Sequence, residues 1–209
     1  MNSFVTKQEK AWGGTFGDQY VGRNAAAELI PPLYAFFSKV LCHAPGVSSI
    51  VELGANIGLN LQALHAIIPA AELEAIEINA TACTILRQLE AVNKVHEASL
   101  LEFNPDRQYD LALIRGVLIH IHPESVALIY KLLYNISSRY ICIAEYYNPK
   151  PIEVPYRGEK GLLYKRDFAG ELLDMFPDVR LVDYGFIYHR DPVFPQDDIT
   201  WFLLEKARP

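Results

Sequence analysis

The sequence predicts an α/β fold built on a mainly parallel sheet of about seven strands, with helices on both faces. Three observations carry this expectation. Short apolar runs alternate with segments of helical spacing along most of the chain. The first strand-to-helix junction holds a glycine-bearing loop, Gly54-Ala55-Asn56-Ile57-Gly58. The last two apolar runs are separated only by the proline-rich turn 191–198, which has no room for a crossover helix, so they form a hairpin with one antiparallel strand.

Taken in order, segment 24–41 has helical periodicity interrupted by Pro31-Pro32, which predicts a helical N-terminal cover that breaks or restarts there. The run 48–53 is a buried strand ending at Gly54, and helix 59–68 follows until Pro69 stops it. Segment 73–77 is the second strand, with helix 81–92 behind it, and 95–98 is a weaker third strand. Tyr109 to Ile114 is the fourth strand. Pro123 suits a first helical position with Glu124 in the positive first turn, so a helix runs from there to about Ile136. The fifth strand, 140–145, leads into a proline- and tyrosine-rich loop over 146–163, then a helix over 166–176 ended by Pro177. Strands over 179–189 and 199–205 close the chain.

Composition narrows the function classes. With 209 residues, 51% hydrophobic and 21% charged, the chain reads as one soluble globular domain. Its net charge of −6 disfavours a nucleic-acid partner, because affinity for a phosphate backbone comes from Lys and Arg. Cys42, Cys83 and Cys142 are far apart, odd in number and set among apolar residues, which fits reduced thiols in the cytosol. The N-terminal residues lack the apolar core of a signal peptide and no long apolar run occurs, so neither export nor a membrane span is expected.

The glycine loop carries the strongest chemical signal. Glycine lets the backbone turn sharply and approach a ligand, and the helix behind it offers unpaired N–H groups, so a nucleotide-like ligand is expected here. The dinucleotide fingerprint G-x-G-x-x-G would need glycine at 54, 56 and 59, whereas the chain has Asn56 and Leu59, which argues against a nicotinamide cofactor. Glu77 closes the second strand roughly 20 residues later, where a carboxylate accepts the hydrogen bonds of a ribose diol. His120 and His122 have no third metal ligand near them in sequence, so no metal is expected, and His120 is instead a candidate proton acceptor or substrate contact. Between residues 139 and 166, six Lys or Arg face three Glu, and four tyrosines, 146, 147, 156 and 164, cluster there. Aromatic faces beside a guanidinium suit a sugar bearing a carboxylate or phosphate, which makes Tyr147, Tyr156, Arg157, Lys165 and Arg166 substrate-binding candidates for an anionic ligand.

The pattern E-x-G-x-x-x-G made by Glu52, Gly54 and Gly58 resembles motif I of the class I S-adenosylmethionine-dependent methyltransferases. Longer stretches resemble one family within that class, the pseudaminic acid biosynthesis-associated methylases: Gly-Ala-Asn-Ile-Gly-Leu-Asn, Glu-Tyr-Tyr-Asn-Pro, Val-Pro-Tyr-Arg-Gly, Lys-Arg-Asp-Phe-Ala-Gly-Glu-Leu, Asp-Tyr-Gly-Phe-Ile-Tyr-His-Arg-Asp-Pro and Gln-Asp-Asp-Ile-Thr-Trp-Phe. This resemblance spans Trp12 to Lys206. It implies a Rossmann-like class I methyltransferase fold, S-adenosyl-L-methionine as donor, and a small carbohydrate acceptor of nonulosonate or nucleotide-sugar type in surface-glycan biosynthesis. The expected organisation is a single domain over residues 1–209: a lid and helical cover over 1–46, a core over 47–206, and an acceptor-side loop over 146–163.

The resemblance also implies roles. Glu52, Gly54, Asn56, Gly58, Asn60, Glu77 and Ile78 belong to the donor site, Ser99 and Leu100 to its adenine segment, and Arg115 to the site mouth. In the lid, Tyr20, Arg23 and Asn24 are expected to reach the donor's methionine carboxylate and amine. His120, Tyr146, His189 and Asp191 are the candidate bases. The segment Arg115 to Pro123 lacks the D/N-P-P-Y/F of enzymes that methylate base or glutamine nitrogens, and lacks the Pro-Cys nucleophile of cytosine C5 enzymes. Protein and nucleic-acid substrates are thereby disfavoured. The alternatives are a non-catalytic protein of the same fold that binds S-adenosylmethionine or a sugar nucleotide, which shares every donor-site residue, and a methyltransferase acting on a protein or another small molecule.

Overall fold

The structure, a computed structural model, describes residues 6–22, 27–156 and 161–207, so Arg23, Asn24 and Arg157 lie outside the described residues. A seven-stranded sheet contains β1 (Ser49–Leu53), β2 (Glu72–Glu77), β3 (Lys94–Glu97), β4 (Tyr109–Arg115), β5 (Ser137–Glu145), β8 (Val179–Ile187) and β9 (Ile199–Lys206). The short β6 (Ile152–Glu153) and β7 (Tyr164–Lys165) form a separate antiparallel ladder within and just after the tyrosine-rich loop. The order in the large sheet is β3-β2-β1-β4-β5-β9-β8, with β9 antiparallel to both neighbours and the other strands parallel. This matches the mainly parallel sheet and terminal hairpin that the period of the apolar runs predicts.

Seven helices surround it: α1 (Lys7–Trp12), α2 (Thr15–Val21), α3 (Ile30–Cys42), α4 (Leu59–Ile67), α5 (Ala80–Leu86), α6 (Val126–Ile136) and α7 (Phe168–Met175), counted among the described residues. Strand alternation sends Ile50 to one face, under Phe36, Phe37 and Val40 of α3 and Leu61 and Leu64 of α4. It sends Val51 and Leu53 to the other, under Ile129 and Leu133 of α6 and Leu172 of α7. No described helix is long and apolar enough to cross a membrane.

The cover restarts at the proline pair as expected: a 3₁₀ turn over Ala27–Leu29 gives way to α3, with Pro31 and Pro32 in its first turn, where a missing N–H removes no helical hydrogen bond. Several boundaries differ from expectation, each for a local reason. The helix expected over 81–92 ends at Leu86, capped at its start by Asn79 Oδ1, which accepts from the Ala82 N–H at 2.9 Å. The following residues make tight turns, Leu89 N–H to Leu86 O at 3.1 Å and Val92 N–H to Leu89 O at 3.1 Å. Pro123 heads a 3₁₀ turn over Pro123–Ser125, and α6 begins only at Val126. The last long helix starts at Phe168 because Asp167 caps it, accepting the Gly170 N–H at 2.8 Å.

Candidate active site

The parallel strands end along one edge, and the strand order reverses there between β1 and β4, the place where doubly wound sheets open a crevice. A cavity of about 1110 Å³ occupies it. The floor starts at the β1 loop. Gly54 has φ of 75°, and a Cβ there would meet Val117 Cγ2 at 2.6 Å, so only glycine fits. Asn56, where the dinucleotide pattern has glycine, takes φ of 47° itself; asparagine tolerates this region because its short amide bonds locally, here as Oδ1 accepting the Ile57 N–H at 2.8 Å. Gly58, at φ of 79°, starts α4 from behind the cavity wall, against Leu86 and Leu89.

Glu77 closes β2 and holds this loop. Its Oε2 accepts the Asn56 N–H at 2.8 Å, while Oε1 accepts the N–H groups of Ile78 and Asn79, both at 2.8 Å. Burial pushes its carboxyl above the usual range, and the three backbone donors oppose that shift. Oε1 has both lone pairs engaged, so Oε2 is the oxygen with capacity for a ligand hydroxyl.

The N-terminal helices α1 and α2 pack over the floor. Ser99 Oγ donates to Glu9 Oε1 at 2.5 Å, and Gln8 Nε2 donates to Gly161 O at 2.8 Å. Asn79 Nδ2 reaches Trp12 O at 3.1 Å and Asp18 Oδ1 at 3.0 Å, and Thr81 Oγ1 donates to Asp18 Oδ1 at 2.8 Å. The Trp12 ring stands 5.2 Å from Tyr20 and 4.6 Å from His120, whose other neighbour is Tyr156 at 5.1 Å.

Beyond β1 lies a buried charged group. Asn60 Nδ2 donates to Glu52 Oε1 at 2.5 Å, and burial pushes the Glu52 carboxyl up to about 8. Glu145, at the end of β5, accepts the N–H groups of Val117 and Leu118 on Oε1, both at 2.9 Å, and burial pushes it up to about 7. Burial also lowers the Arg115 guanidinium from its usual value. Glu52 Oε2, Asn60 Oδ1, Arg115 Nε and Glu145 Oε2, with Gln8 Oε1 of α1, are buried and find no hydrogen-bond partner among the described residues. These atoms form a buried set of donors and acceptors with capacity for a polar ligand's hydrogen bonds.

No family model matches the chain, and no curated protein matches it. Solved structures do. The plantazolicin methyltransferase in complex with SAH has TM-score 0.67 at 16% identity, covering 96% of this chain and 94% of that one. The magnesium protoporphyrin IX methyltransferase from Synechocystis with bound SAM has TM-score 0.67 at 13% identity, covering 99% and 100%. The Burkholderia thailandensis 1,6-didemethyltoxoflavin-N1-methyltransferase, with its substrate and S-adenosylhomocysteine, has TM-score 0.69 at 13% identity, covering 100% and 94%. The fold is that of the class I methyltransferases.

Within this methyltransferase fold, the cavity wall includes Tyr20, Gly54, Asn56, Asn60, Glu77, Ile78, Ser99, Leu100, Arg115, His120, Tyr146, Tyr156 and His189. Glu52 sits behind Asn60 rather than on the wall. Several candidates are placed elsewhere. Asp191 is exposed, and its Oδ1 accepts the N–H groups of Val193 and Phe194 at 2.8 Å each, so it holds a turn instead of facing the cavity. Tyr147 lies on the outside, 6.2 Å from the Phe202 ring. The Lys165 ammonium lies over the Tyr146 ring at 5.0 Å, and Arg166 Nε pairs with Glu171 at 2.7 Å. The basic loop therefore does not present these charges to the cavity: among the described wall residues Glu9, Glu28, Glu77, Glu145 and Asp197 face Arg115 as the one guanidinium. Tyr146 is no base near neutral pH, since burial and Asp197 raise its phenol and its hydroxyl donates to Asp197 Oδ2 at 3.0 Å.

His120 is neutral: burial lowers it to about 4. Its Nδ1 lies 2.6 Å from the Leu162 carbonyl, which can only accept, so Nδ1 carries the proton and Nε2 the lone pair. Sequence reading missed Gln8, Glu9, Asn79, Glu145, Gln196 and Asp197 on the wall. For Asn79 the capping position just after Glu77 was the available signal. Glu145 and Gln196 are brought together with Arg115 only by the sheet order.

Proposed function

We propose that the protein is an S-adenosylmethionine-dependent methyltransferase acting on a small polyhydroxylated carbohydrate of nonulosonate or nucleotide-sugar type. The observation that carries the donor reading is the switch-point cavity itself, where a left-handed Asn56 between two left-handed glycines is fastened to the buried Glu77. That arrangement brings backbone close to a nucleoside and sets an acceptor oxygen beside its ribose. The acidic wall suits the donor, whose sulfonium and ammonium outweigh its single carboxylate. In this reading Ser99 and Leu100 border the adenine, and Tyr20, Arg115 and Glu145 border the amino-acid end, where unpaired Arg115 Nε and Glu145 Oε2 offer opposite charges to a zwitterion.

The sulfonium supplies an activated methyl group when the donor is bound. The chain's own work is to hold the acceptor in line with it and to exclude water, which the lid helices favour. Tyr146, Tyr156, His120 and His189 then form the acceptor face, with aromatic surfaces for a sugar ring and polar atoms for its hydroxyls. The test is calorimetric binding of S-adenosylhomocysteine with NAD as competitor, followed by S-adenosylhomocysteine release with free and cytidine-linked nonulosonates and UDP-sugars. Binding of the former with turnover on a sugar supports the reading. Binding of NAD alone overturns the donor assignment, and donor binding without turnover on the panel overturns the acceptor.

A further inference from the structure

The segment between β8 and β9 ends in Gln196-Asp197-Asp198, three consecutive side chains that each hold a different residue of the cavity wall. Gln196 Oε1 accepts from Arg115 Nη2 at 2.8 Å, while its Nε2 donates to Pro32 O at 3.0 Å and so joins β4 to α3. Asp197 Oδ2 accepts from Tyr146 at 3.0 Å. Asp198 Oδ1 and Oδ2 both lie 2.9 Å from His189 Nδ1, and Oδ1 also accepts the His189 N–H at 3.0 Å. The register explains the placement. β9 runs antiparallel, with Thr200 opposite Glu145 and Ile199 opposite Ile187, so its first residues lie at the edge where the parallel strands end.

We infer that this tripeptide organises the acceptor half of the cavity, with Asp198 as the positioning residue that makes His189 the proton acceptor for a hydroxyl nucleophile. The inference rests on the methyltransferase reading above and adds the reacting group, a hydroxyl that yields a methyl ether. A carboxylate can only accept from Nδ1, so the neutral His189 imidazole carries its proton there and presents Nε2 with a lone pair. No described residue hydrogen-bonds Nε2, and His189 lines the cavity. His120 has the same tautomer, but its Nδ1 partner is the neutral carbonyl of Leu162. His122, also on the wall, has Glu124 Oε2 at 4.0 Å from its Nδ1, but that nitrogen accepts the Glu124 N–H at 3.4 Å. Among the described wall histidines, His189 is therefore the one whose Nδ1–H is held by a carboxylate that offers a counter-charge to the imidazolium, which is why the structure favours it for this step. As the acceptor oxygen forms its bond to the methyl carbon, the bond from that carbon to sulfur breaks, and its electron pair stays on the thioether of S-adenosylhomocysteine. The hydroxyl proton passes to His189 Nε2 and leaves to solvent. The balance requires no other reactant.

The experiment has two readouts on the full chain with S-adenosylhomocysteine bound or S-adenosylmethionine supplied. Long-range proton–nitrogen spectra of the imidazoles, recorded about two pH units above the ordinary histidine value and assigned with His189→Gln, report the tautomer without any acceptor. The expected result is Nδ1–H for His189 in the wild type and a shift toward Nε2–H in Asp198→Ala, with S-adenosylhomocysteine still binding both variants as proof of folding. An Nε2–H tautomer in the wild type, or one indifferent to Asp198, overturns the positioning role. Methyl transfer to the sugar panel is the second readout. His189→Gln should lower kcat by roughly 10²–10⁴-fold, while Asp198→Asn lowers kcat with KM nearly unchanged. Undiminished kcat in His189→Gln overturns the base. Wild-type transfer to an amine, but to no hydroxyl, overturns the reacting group, and failure of donor binding instead strikes the underlying methyltransferase reading.

Discussion

Glu77→Gln separates the two jobs that this carboxylate has. Three backbone N–H groups, of Asn56, Ile78 and Asn79, each 2.8 Å away, are directed at its two oxygens. A glutamine carbonyl can take the pair on Oε1, but the amide nitrogen then replaces Oε2 and opposes the Asn56 N–H, donor against donor. Leaving one buried donor unpaired costs about 1–3 kcal/mol, and at roughly 2–4 °C per kcal/mol for a chain of this size the melting temperature should fall by about 2–12 °C. Affinity for S-adenosylhomocysteine should fall further, because a hydrogen bond from a ribose hydroxyl to a charged acceptor is worth about 1.5–3 kcal/mol, or roughly 10- to 150-fold in Kd. Scanning calorimetry gives the first number and titration calorimetry the second. A Kd within twofold of wild type beside a lowered melting temperature would refute the ribose contact and leave Glu77 as a loop fastener; an unchanged melting temperature would refute the hydrogen-bond count.

Gly54→Ala should strain a backbone at φ of 75° and press its methyl on Val117, costing roughly 1–2 kcal/mol in the left-handed conformation alone and weakening donor binding; denaturant melts check it. Asp18→Ala removes the acceptor for Asn79 and Thr81, and hydrogen exchange in residues 7–21 should quicken while exchange in β1 and β4 does not change. Glu52 and Glu145 have folded values near 8 and 7, above those of an unfolded carboxyl, so the folded state binds more protons and the ligand-free protein loses stability as pH rises from about 4.5 through those values. A midpoint of urea unfolding that rises over that window would refute the burial of these groups. Binding of S-adenosylhomocysteine, whose ammonium favours the ionised Glu145, should release protons near pH 7, read as a buffer-dependent binding enthalpy.

The strands, the hairpin and the glycine loop were legible in the chain because each is a local matter. Period-two and helical spacing report which side chains share a face, and Gly54, Gly58 and Glu77 mark a turn and a strand end within one βαβ unit. Local chemistry also explains the miss at Asp191: it is close in sequence to His189, which lines the cavity, yet its carboxylate caps a turn by accepting the Val193 and Phe194 N–H groups and so stays off the wall. The loop charges failed for another reason. Lys165 and Arg166 are counted as free cations in a linear tally, but folding supplies each with a partner, the Tyr146 ring and the Glu171 carboxylate.

Strand alternation, the nucleotide-type loop and the acidic residue that follows it are properties of short segments, so linear order suffices for them. The grouping of Arg115, Glu145, Tyr146 and Gln196 is not. These residues come from the ends of β4 and β5 and the approach to β9, and they meet because β9 inserts antiparallel beside β5 and returns its first residues to the edge where the parallel strands stop. Burial at that junction then sets their charge, and burial depends on neighbours distant in the chain.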